Sequence, residues 1–400
     1  MKIKINKSVA VGEIKAPPSK SYAHRLLIGA ALANGASKID GIIDSDDMRA
    51  TLSCISSLGV KYEKRGEEVS FFGGELTKTH RVFSANESGS TLRFFIPIAL
   101  ALGDSATFIG TERLISRGIE VYEEIFEKQG ITVKKSKTKI ELNGRLRADT
   151  FYVRGNVSSQ FISGLIFALP LLDGDSKIVI TTELESESYV DITIDAVNQL
   201  GIEITRKENE IFVKGNQKYT PKNLSVEADA SNAAFLDAFN ILSGDVSVLG
   251  LNDKTLQPDY IYKSYFERIN DTVPTLSLAS CPDLGPITFA LAALKNGAHF
   301  VGTKRLKIKE SDRASAMARE LEALGGRVTV NENDVIVSKI ENIKENQTLI
   351  CHNDHRIAMS LACVLSTVGG TLDGCECVKK SYPHFFDDLR QLGIDWEEII

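Results

Sequence analysis

Six stretches of the chain repeat one pattern, and this repeat limits the possible folds more than any other feature of the sequence. Each stretch opens with a small, acidic or amide residue, continues through an apolar, helix-like run rich in Ala and Leu, and ends in a Gly-containing turn and a β-like run. The stretches begin at Ser19, Ser88, Ser158, Asp229, Asp283 and Asn353. Successive starts lie 69, 70, 71, 54 and 70 residues apart, which predicts one supersecondary unit used six times with one shortened copy.

A second, more polar helix is predicted inside most of these units. In 311–325, Met317, Leu321 and Leu324 belong to one apolar stripe at helical spacing, with charged residues opposite. Weaker versions lie at 46–58, 118–129, 191–200 and 385–392, and the least regular one lies near 259–269. The unit therefore reads β-α-β-α-β-β, with an Ala-rich buried helix and an amphipathic outer helix.

Six such units in 400 residues predict two α/β domains of three units each. We expect the N-terminal domain to span 16–224 and the C-terminal domain to combine 1–15 with 225–400. The second boundary follows a stretch rich in Gly, Asn, Gln and Pro at 215–221. The first strand of the chain is thus expected in the C-terminal domain.

Composition excludes several classes of function. A net charge of −6 argues against a nucleic-acid-binding protein. The longest apolar stretches, 94–102 and 161–172, are shorter than the roughly 20 residues of a membrane span, so buried helices explain them better. The six cysteines show neither a disulfide framework nor zinc-ligand spacing. We expect a cytoplasmic protein with reduced thiols, no metal and no cofactor.

The residues that open the six units suit helix N-caps, and helix N-termini attract anions through free N–H groups and the helix dipole. Any one of them is explained equally well as an ordinary cap. Six in register, with basic residues beside them, favour an anion site. In the first half these neighbours are Lys20, Ser21 and Arg25, then Gly89 at a cap with Arg117 after it, and then the hydrogen-bonding group Ser158, Ser159 and Gln160.

The second half supplies candidates for acid–base chemistry. They are Asp283 in CPDLGP, Lys309, Glu310 and Arg313 in IKESDR, His355 and Arg356 in NDHR, and Lys380 in KKSYPHFF. Each one alone is more simply explained by capping or by an ordinary structural role. Together they place many cations and two carboxylates at loop-to-helix junctions, which two phosphorylated, carboxylated substrates would require.

The order and spacing of these motifs resemble those of the 5-enolpyruvylshikimate-3-phosphate synthases, a family of enolpyruvyl transferases. The matching motifs run through essentially the full length: SKS with Arg25, ESGSTLR, VSSQF, DIT after Tyr189, VEADAS, IKESDR and NDHRIAM. The resemblance implies a two-domain inside-out α/β barrel fold, three β-α-β-α-β-β units per domain, two hinge crossings, and an active site in the cleft between the domains.

The resemblance also implies ligands. Shikimate 3-phosphate would contact Lys20, Ser21, Arg25, Ser158, Ser159, Gln160, Ser186, Tyr189, Asp283 and Lys309. Phosphoenolpyruvate would contact Lys20, Gly89, Arg117, Gln160, Arg313, Arg356 and Lys380. The catalytic residues would be Asp283 as the acceptor of the hydroxyl proton, Glu310 as the proton donor to C3 or an orienting group, and Lys309 and Lys20. Glyphosate is expected to bind because Gly89 has no methyl group to obstruct it.

Three positions depart from the family pattern. Glu87 stands where many members have Asn, Arg305 where Asn is common, and Glu187-Ser188 where a Lys-Pro pair is common. These departures bear on local affinity. A transferase acting on UDP-N-acetylglucosamine is the nearest alternative, but its usual reactive Cys has no counterpart in 109–118. A non-catalytic anion-binding protein is the other alternative, and the two carboxylates among the cations argue against it. We expect a monomer.

Overall fold

The computed structural model describes residues 1–73, 76 and 81–399. The helices are α1 Lys20–Leu32, α2 Asp46–Ser57, α3 Gly89–Leu102, α4 Glu112–Ser116, α5 Glu120–Lys128, α6 Ser159–Ala168, α7 Glu187–Gln199, α8 Ala230–Ile241, α9 Tyr262–Asp271, α10 Gly285–Leu294, α11 Arg313–Ala323, α12 His355–Val368 and α13 Phe385–Gln391. Short 3₁₀ segments lie at Leu169–Leu171, Pro258–Ile261, Pro282–Leu284, Lys304–Ile308 and Cys375–Lys380.

The strands are short. They are β1 Lys2–Ile5, β2 Val11–Lys15, β3 Ser37–Asp40, β4 Tyr62–Arg65, β5 Glu68–Phe71, β6 Arg81–Asn86, β7 Ser105–Gly110, β8 Thr132–Lys135, β9 Lys139–Asn143, β10 Thr150–Val153, β11 Ser176–Ile180, β12 Ile204–Lys207, β13 Glu210–Val213, β14 Asn223–Ser225, β15 Asp245–Leu249, β16 Thr275–Ser277, β17 Ala298–Val301, β18 Arg327–Val330, β19 Asp334–Ser338, β20 Gln347–Ile350, β21 Gly370–Asp373 and β22 Trp396–Ile399.

The repeat predicted from the sequence is confirmed by the sheets. Three sheets each contain one complete unit, with strand orders β6-β7-β9-β8, β10-β11-β13-β12 and β16-β17-β19-β18. In each, the first two strands are parallel and are joined by the buried helix, and an antiparallel hairpin closes the unit. The shortened copy contains α8, β15 and α9, and its sheet consists of β15 and β2.

Two strands, β2 and β14, each pair with a strand of a different domain from the helix that follows them in sequence. β2 precedes α1 in sequence but pairs in parallel with β15, whereas β14 precedes α8 but pairs in parallel with β3. β1 lies between β21 and β22, antiparallel to both. The N-terminal strand therefore belongs to the sheet built from the last unit of the chain.

The chain divides into two compact units, Lys20–Glu227 and Met1–Ser19 with Ala228–Ile400, called the N-terminal and C-terminal domains below. Each has its own apolar core. The Ala-rich helices form these cores: α1, α3 and α6 are buried along almost their whole length in one domain, and α8, α10 and α12 in the other. The apolar stretches 94–102 and 161–172 are thus buried in α3 and in α6 with the 3₁₀ turn after it. Among the described residues no helix is long and apolar enough to cross a membrane.

The outer helices were also predicted correctly. The predicted helix 311–325 is α11, and those at 46–58, 118–129, 191–200 and 385–392 are α2, α5, α7 and α13. The predicted capping holds at Ser88, Ser158 and Asp229, whose side chains accept backbone N–H groups. It is wrong at Asp283, which does not cap α10, because its carboxylate is paired with cations instead. It is also wrong at Asn353, because the N-cap of α12 is the next residue, Asp354. Ser88 also takes the cap position expected for Gly89, which is the first helical residue.

Candidate active site

The first helix of the N-terminal domain begins with a charged pair. Lys20 is the first residue of α1, and its Nζ lies 2.8 Å from Oδ2 of Asp47 in the first turn of α2. Both side chains are largely buried, at 16% exposure each. Sequence motifs found Lys20 but not Asp47, because the partner is set by the packing of α1 on α2. The pair holds the ammonium group at the positive end of a helix, where an anion would be attracted.

Arg25 lies one turn further along α1 and joins three helices of this domain. Its Nε donates to Oγ1 of Thr193 at 2.7 Å, Nη1 to the carbonyl of Ser21 at 2.7 Å, and Nη2 to the carbonyl of Tyr189 at 3.0 Å and more weakly to Oγ of Ser163 at 3.5 Å. Burial lowers the pKa of Arg25 to about 10. These acceptors are neutral, so the positive charge remains available to a nearby anion.

Gly89 and Arg117 lie against each other. A Cβ added to Gly89 would lie 3.0 Å from Nη1 and 3.1 Å from Nη2 of Arg117, tighter than about nine in ten real contacts of a Cβ atom. Arg117 follows α4, whose first residues are capped by the hydroxyl of Thr111. The missing side chain at the start of α3 therefore leaves space for the guanidinium group.

Gln160 is tied to α3 by both ends of its amide. Oε1 accepts a hydrogen bond from Nη1 of Arg93 at 2.6 Å, and Nε2 donates to Oγ of Ser90 at 2.9 Å. Nη2 of Arg93 also lies 3.4 Å from the carbonyl oxygen of Arg117. Gly164 allows this close packing, since a Cβ there would lie 2.4 Å from the carbonyl oxygen of Arg93. Sequence reasoning did not assign Arg93 to the site, although a lone Arg in an otherwise apolar helix was the available signal.

The remaining predicted residues of this domain lie at two helix starts. Ser158 caps α6 by accepting the N–H of Gln160, and Ser159 is the first helical residue; both are buried. Ser186 precedes α7 with φ of 57°, a left-handed conformation that is uncommon outside Gly, Asn and Asp. Tyr189 lies in the first turn of α7 and is partly exposed.

The Glu187 departure has a local explanation. Glu187 forms an ion pair with Arg206, whose Nη1 also lies 2.6 Å from Oδ1 of Asp191 one turn along α7. Glu187 is thus held at the start of α7 by a cation of the same domain, so its charge is partly balanced locally.

In the C-terminal domain, Asp283 lies between three cations. Its Oδ1 is 2.6 Å from Nη1 of Arg313 and 3.2 Å from Nζ of Lys309, and its Oδ2 is 3.1 Å from Nη2 of Arg356. The sequence predicted all four residues as site residues, and the structure brings them together. Asp283 stands in the 3₁₀ turn Pro282–Leu284 just before α10.

This arrangement changes the acid–base properties of its members. Burial alone would raise the pKa of Asp283, but Arg356, Lys309 and Arg313 hold it well below its usual range. Burial lowers the pKa of Lys309 to about 8, with Asp283 opposing this and the charge of Arg305 adding to it. Asp283 is therefore ionised at neutral pH, whereas Lys309 titrates near physiological pH.

Arg313 is almost fully buried, at 1% exposure, and meets a carboxylate at each of three nitrogen atoms. Beyond Asp283, its Nη2 lies 2.7 Å from Oε2 of Glu310 and its Nε 2.9 Å from Oδ2 of Asp354. Burial alone would lower the pKa of Arg313, but the three carboxylates raise it above its usual range. Arg313 thus organises the carboxylates of this cluster. The sequence analysis did not assign Asp354, because it took Asn353 as the first residue of this unit; Asp354 is both the helix cap and an ion-pair partner of Arg313.

Arg356 and Lys380 are the two remaining residues of this domain that were predicted to bind phosphoenolpyruvate. Arg356 is the second residue of α12, and its buried Nη1 has no hydrogen-bond partner among the described residues. Lys380 ends the 3₁₀ segment Cys375–Lys380 and donates from Nζ to the carbonyl of Asn353 at 2.7 Å. The unsatisfied guanidinium N–H of Arg356 can donate a hydrogen bond to a bound anion.

A third aspartate, Asp259, lies close enough to this cluster to be affected by its charges. Asp259 is buried and accepts a hydrogen bond from the hydroxyl of Ser231 in the first turn of α8. Burial, with the charge of Asp283, raises the pKa of Asp259 to about 7, against the charge of Arg356. No sequence signal marked Asp259, since it lies in the least regular unit.

Within 1–73, 76 and 81–399, no cluster of three or more His, Cys, Asp or Glu side chains is arranged to hold a metal ion.

Comparison with known proteins identifies the family. The family model described as EPSP synthase (3-phosphoshikimate 1-carboxyvinyltransferase) matches residues 5–275 and 268–389. A 3-phosphoshikimate 1-carboxyvinyltransferase from Clostridium botulinum (strain Eklund 17B / Type B) is 41% identical over 417 residues, covering 97% of this chain and 96% of the relative. One from Clostridium kluyveri is 41% identical over 420 residues, with 99% and 98% covered.

Solved structures share the fold. An EPSP synthase from Acinetobacter baumannii matches with a TM-score of 0.79 at 21% identity, covering 99% of this chain and 100% of that one. The enolpyruvyl transferase NikO from Streptomyces tendae matches with a TM-score of 0.80 at 15% identity, covering 99% and 98%. These likenesses establish the two-domain α/β fold, and the full-length family match establishes the kinship: the chain belongs to the EPSP synthase family.

Proposed function

We propose that this protein transfers the enolpyruvyl group of phosphoenolpyruvate to the 5-hydroxyl of shikimate 3-phosphate and releases phosphate. This is the 3-phosphoshikimate 1-carboxyvinyltransferase reaction of the shikimate pathway, which leads through chorismate to the aromatic amino acids. The observation that carries the proposal is the largely buried carboxylate of Asp283, held within 3.2 Å of Arg313, Lys309 and Arg356 in a chain with full-length kinship to this family. Such a cluster can bind anions and also move a proton.

The reaction proceeds by addition and then elimination. The 5-hydroxyl oxygen attacks C2 of phosphoenolpyruvate and gives its proton to Asp283, while C3 receives a proton, and a tetrahedral ketal forms. Loss of phosphate from C2 and of a proton from C3 then restores the double bond as an enol ether. Free Asp283 is a weak base because the three cations lower its pKa. Substrate anions bound to Arg356 and Lys309 weaken that effect, so binding itself raises the pKa of Asp283 and prepares it to accept the proton.

Glu310 is assigned as the proton donor to C3. Its carboxylate lies 2.7 Å from Nη2 of Arg313, so the competing role is to orient Arg313. Glu310→Gln separates the two, since glutamine retains the contact but has no acidic proton. A donor role predicts that exchange of the C3 hydrogens with solvent deuterium falls about as steeply as turnover, by roughly 10²-fold or more. An orienting role predicts near-normal exchange.

The anion-binding residues are assigned in two sets. Shikimate 3-phosphate is held by Lys20, Ser21, Arg25, Ser158, Ser159, Gln160, Ser186, Tyr189, Asp283 and Lys309. Phosphoenolpyruvate is held by Lys20, Gly89, Arg117, Gln160, Arg313, Arg356 and Lys380. The unsatisfied Nη1 of Arg356 and the neutral surroundings of Arg25 support these assignments. Lys20 is assigned to both substrates because its ammonium group lies at a helix N-terminus.

A phosphate-release assay tests the proposal. Phosphate should appear only when shikimate 3-phosphate and phosphoenolpyruvate are both present. Release with UDP-N-acetylglucosamine in place of shikimate 3-phosphate would instead indicate the related transferase activity. Absence of release with either acceptor would indicate a binding protein.

Three finer proposals accompany the reaction. Glyphosate competes with phosphoenolpyruvate, since Gly89 leaves space in front of Arg117; an inhibition curve flat to about millimolar glyphosate would contradict this. The protein is a monomer, so light scattering should give a mass near 43.8 kDa. It acts in the cytoplasm, in keeping with its six free, buried cysteines.

A further inference from the structure

Glu320 is a buried carboxylate that the proposed reaction does not use. It lies in α11 at 3% exposure, and both oxygens of its carboxylate form hydrogen bonds to the segment 350–354. Oε1 lies 2.6 Å from Nε2 of His352, and Oε2 accepts the backbone N–H of Ile350 at 2.9 Å. A buried carboxylate is costly unless both oxygens are satisfied, so this placement specifies the geometry of the segment it holds.

That segment, 350–354, has a strained backbone. His352 and Asn353 have φ of 51° and 53°, two consecutive left-handed residues without a glycine. The carbonyl of Cys351 accepts the N–H of Asp354 at 2.9 Å, which closes the turn. Such a turn persists only where its surroundings hold it, and Glu320 binds it at both Ile350 and His352.

The turn determines where two site cations stand. Its last residue, Asp354, caps α12 and accepts the N–H of Arg356, which fixes the start of the helix that carries this arginine. The carbonyl of Asn353, oriented by its left-handed conformation, accepts Nζ of Lys380 at 2.7 Å. A change in the turn would therefore move Arg356 and Lys380 together.

Helix α11 holds this turn at two points. Arg313 and Glu320 are seven residues apart, which places them on the same face about two turns apart. Nε of Arg313 binds Oδ2 of Asp354 at 2.9 Å, while Glu320 binds His352 and Ile350. Arg313 also contacts Asp283, whereas both side-chain hydrogen bonds of Glu320 among the described residues go to segment 350–354. Glu320 can thus be substituted without removing any of the charged side chains around Asp283.

We propose that Glu320 is a positioning residue for phosphoenolpyruvate binding: through His352 and the N–H of Ile350, it sets the turn that places Arg356 and Lys380. This inference rests on the proposed function, in which those two cations bind phosphoenolpyruvate. It predicts a selective effect on one substrate, because the groups assigned to shikimate 3-phosphate in this domain, Asp283 and Lys309, are not carried by the turn.

Steady-state kinetics on the full chain test this with three variants. Glu320→Ala should raise the KM for phosphoenolpyruvate by about tenfold and leave the KM for shikimate 3-phosphate within about twofold of the parent value. Glu320→Gln should recover most of the loss, since its amide oxygen can still accept the N–H of Ile350 and its amide N–H can donate to the His352 ring. Leu321→Ala removes a fully buried apolar side chain from the same helix and is the control for general destabilisation. It should lower the unfolding midpoint with both KM values unchanged.

Hydrogen exchange of the ligand-free protein gives a second readout that needs no activity. Glu320→Ala should speed exchange in a peptide covering 350–354 more than elsewhere in the domain, and Leu321→Ala should not. If both KM values rise equally, or if Leu321→Ala raises the KM for phosphoenolpyruvate as much, the role of Glu320 is merely structural and the inference is overturned. A parent protein that releases no phosphate from the two substrates contradicts the proposed function instead, and local exchange in 350–354 then still reports whether Glu320 holds the turn.

Discussion

Asp283 shows how strongly the chemistry of a single residue depends on its neighbours. Taken alone, an Asp before a helix is an ordinary cap, yet here its carboxylate lies between Arg313, Lys309 and Arg356 and caps nothing. The carboxylate in turn favours the charged form of each of these three partners. The proton acceptor and the anion-binding groups therefore influence one another electrostatically. Substitutions of single members should affect turnover and substrate binding differently.

Asp283→Asn should lower kcat by about 10²- to 10⁴-fold, since the amide cannot accept the hydroxyl proton. The KM values for both anionic substrates should stay the same or fall, because three cations lose their internal counter-charge. Asp334→Asn, which alters a partly exposed carboxylate paired with His299 in the same domain, is the matched control and should change neither. A kcat for Asp283→Asn within about threefold of the parent value would remove this residue from the chemistry.

Lys309 should give the pH profile an alkaline limb. Its pKa is lowered to about 8, so it is a cation below that pH and becomes neutral above it. Binding of shikimate 3-phosphate should therefore weaken as the pH rises through about 8, seen as a fall in kcat/KM for that substrate. Lys309→Arg stays charged and should move the limb to higher pH. A limb at the same pH in both proteins would assign it to another group.

Gly89→Ala should displace the guanidinium group of Arg117, because a methyl group would lie 3.0 Å from Nη1. We expect the KM for phosphoenolpyruvate to rise by about three- to tenfold, with that for shikimate 3-phosphate little changed. The double variant with Arg117→Ala should be no worse than Arg117→Ala alone, since the three atoms nearest to the added methyl group all belong to the guanidinium group of Arg117. Additive effects of the two substitutions would show that Gly89 acts independently of Arg117.

A site residue could be predicted when its role is set by the sequence around it, and could not when its role is set by tertiary contacts. Lys20, Gly89, Asp283 and Arg356 stand in short motifs next to predicted helix starts, so local sequence was enough to nominate them. Asp47, Arg93 and Asp354 were not found because their roles come from partners chosen by packing. Asp259 and Glu320 are similar cases: buried acids in unremarkable sequence, placed by tertiary contacts.

At the scale of elements, the repeat predicted most of the fold because periodicity and turn residues are local properties. The shortened fourth unit was visible as the 54-residue spacing, and its sheet is the two-stranded pair of β15 and β2. The exchange of β2 and β14 was not predicted in detail. A repeat shows which strand precedes a helix, but pairing is decided by which sheet edge is open when the chain returns.

The position of β1 predicts a strong dependence of the C-terminal domain on the first residues of the chain. Ile3 is fully buried in the strand between β21 and β22, while its neighbour Lys4 points outward. Ile3→Ala should cost about 2–5 kcal/mol of unfolding free energy, measured by urea denaturation, and Lys4→Ala within about 0.5 kcal/mol. Equal effects of the two substitutions would show that β1 is not a core strand.

At the scale of the whole molecule, the two domains have the same internal plan and divide the chemistry unequally. The N-terminal domain offers cations and hydroxyls at the starts of α1, α3, α6 and α7. In the C-terminal domain the cations are joined by the carboxylates of Asp283, Glu310 and Asp354. We therefore expect anion binding from both domains and proton transfer from the C-terminal one.

Mass spectrometry of the product formed in ²H₂O tests the proposed enolpyruvyl transfer most directly. With shikimate 3-phosphate and phosphoenolpyruvate present, we predict one enolpyruvyl group added to shikimate 3-phosphate, one phosphate released per product, and deuterium at the methylene carbon, because C3 passes through a methyl group in the ketal. Unchanged shikimate 3-phosphate, or a product without deuterium at that carbon, would contradict transfer by addition and elimination.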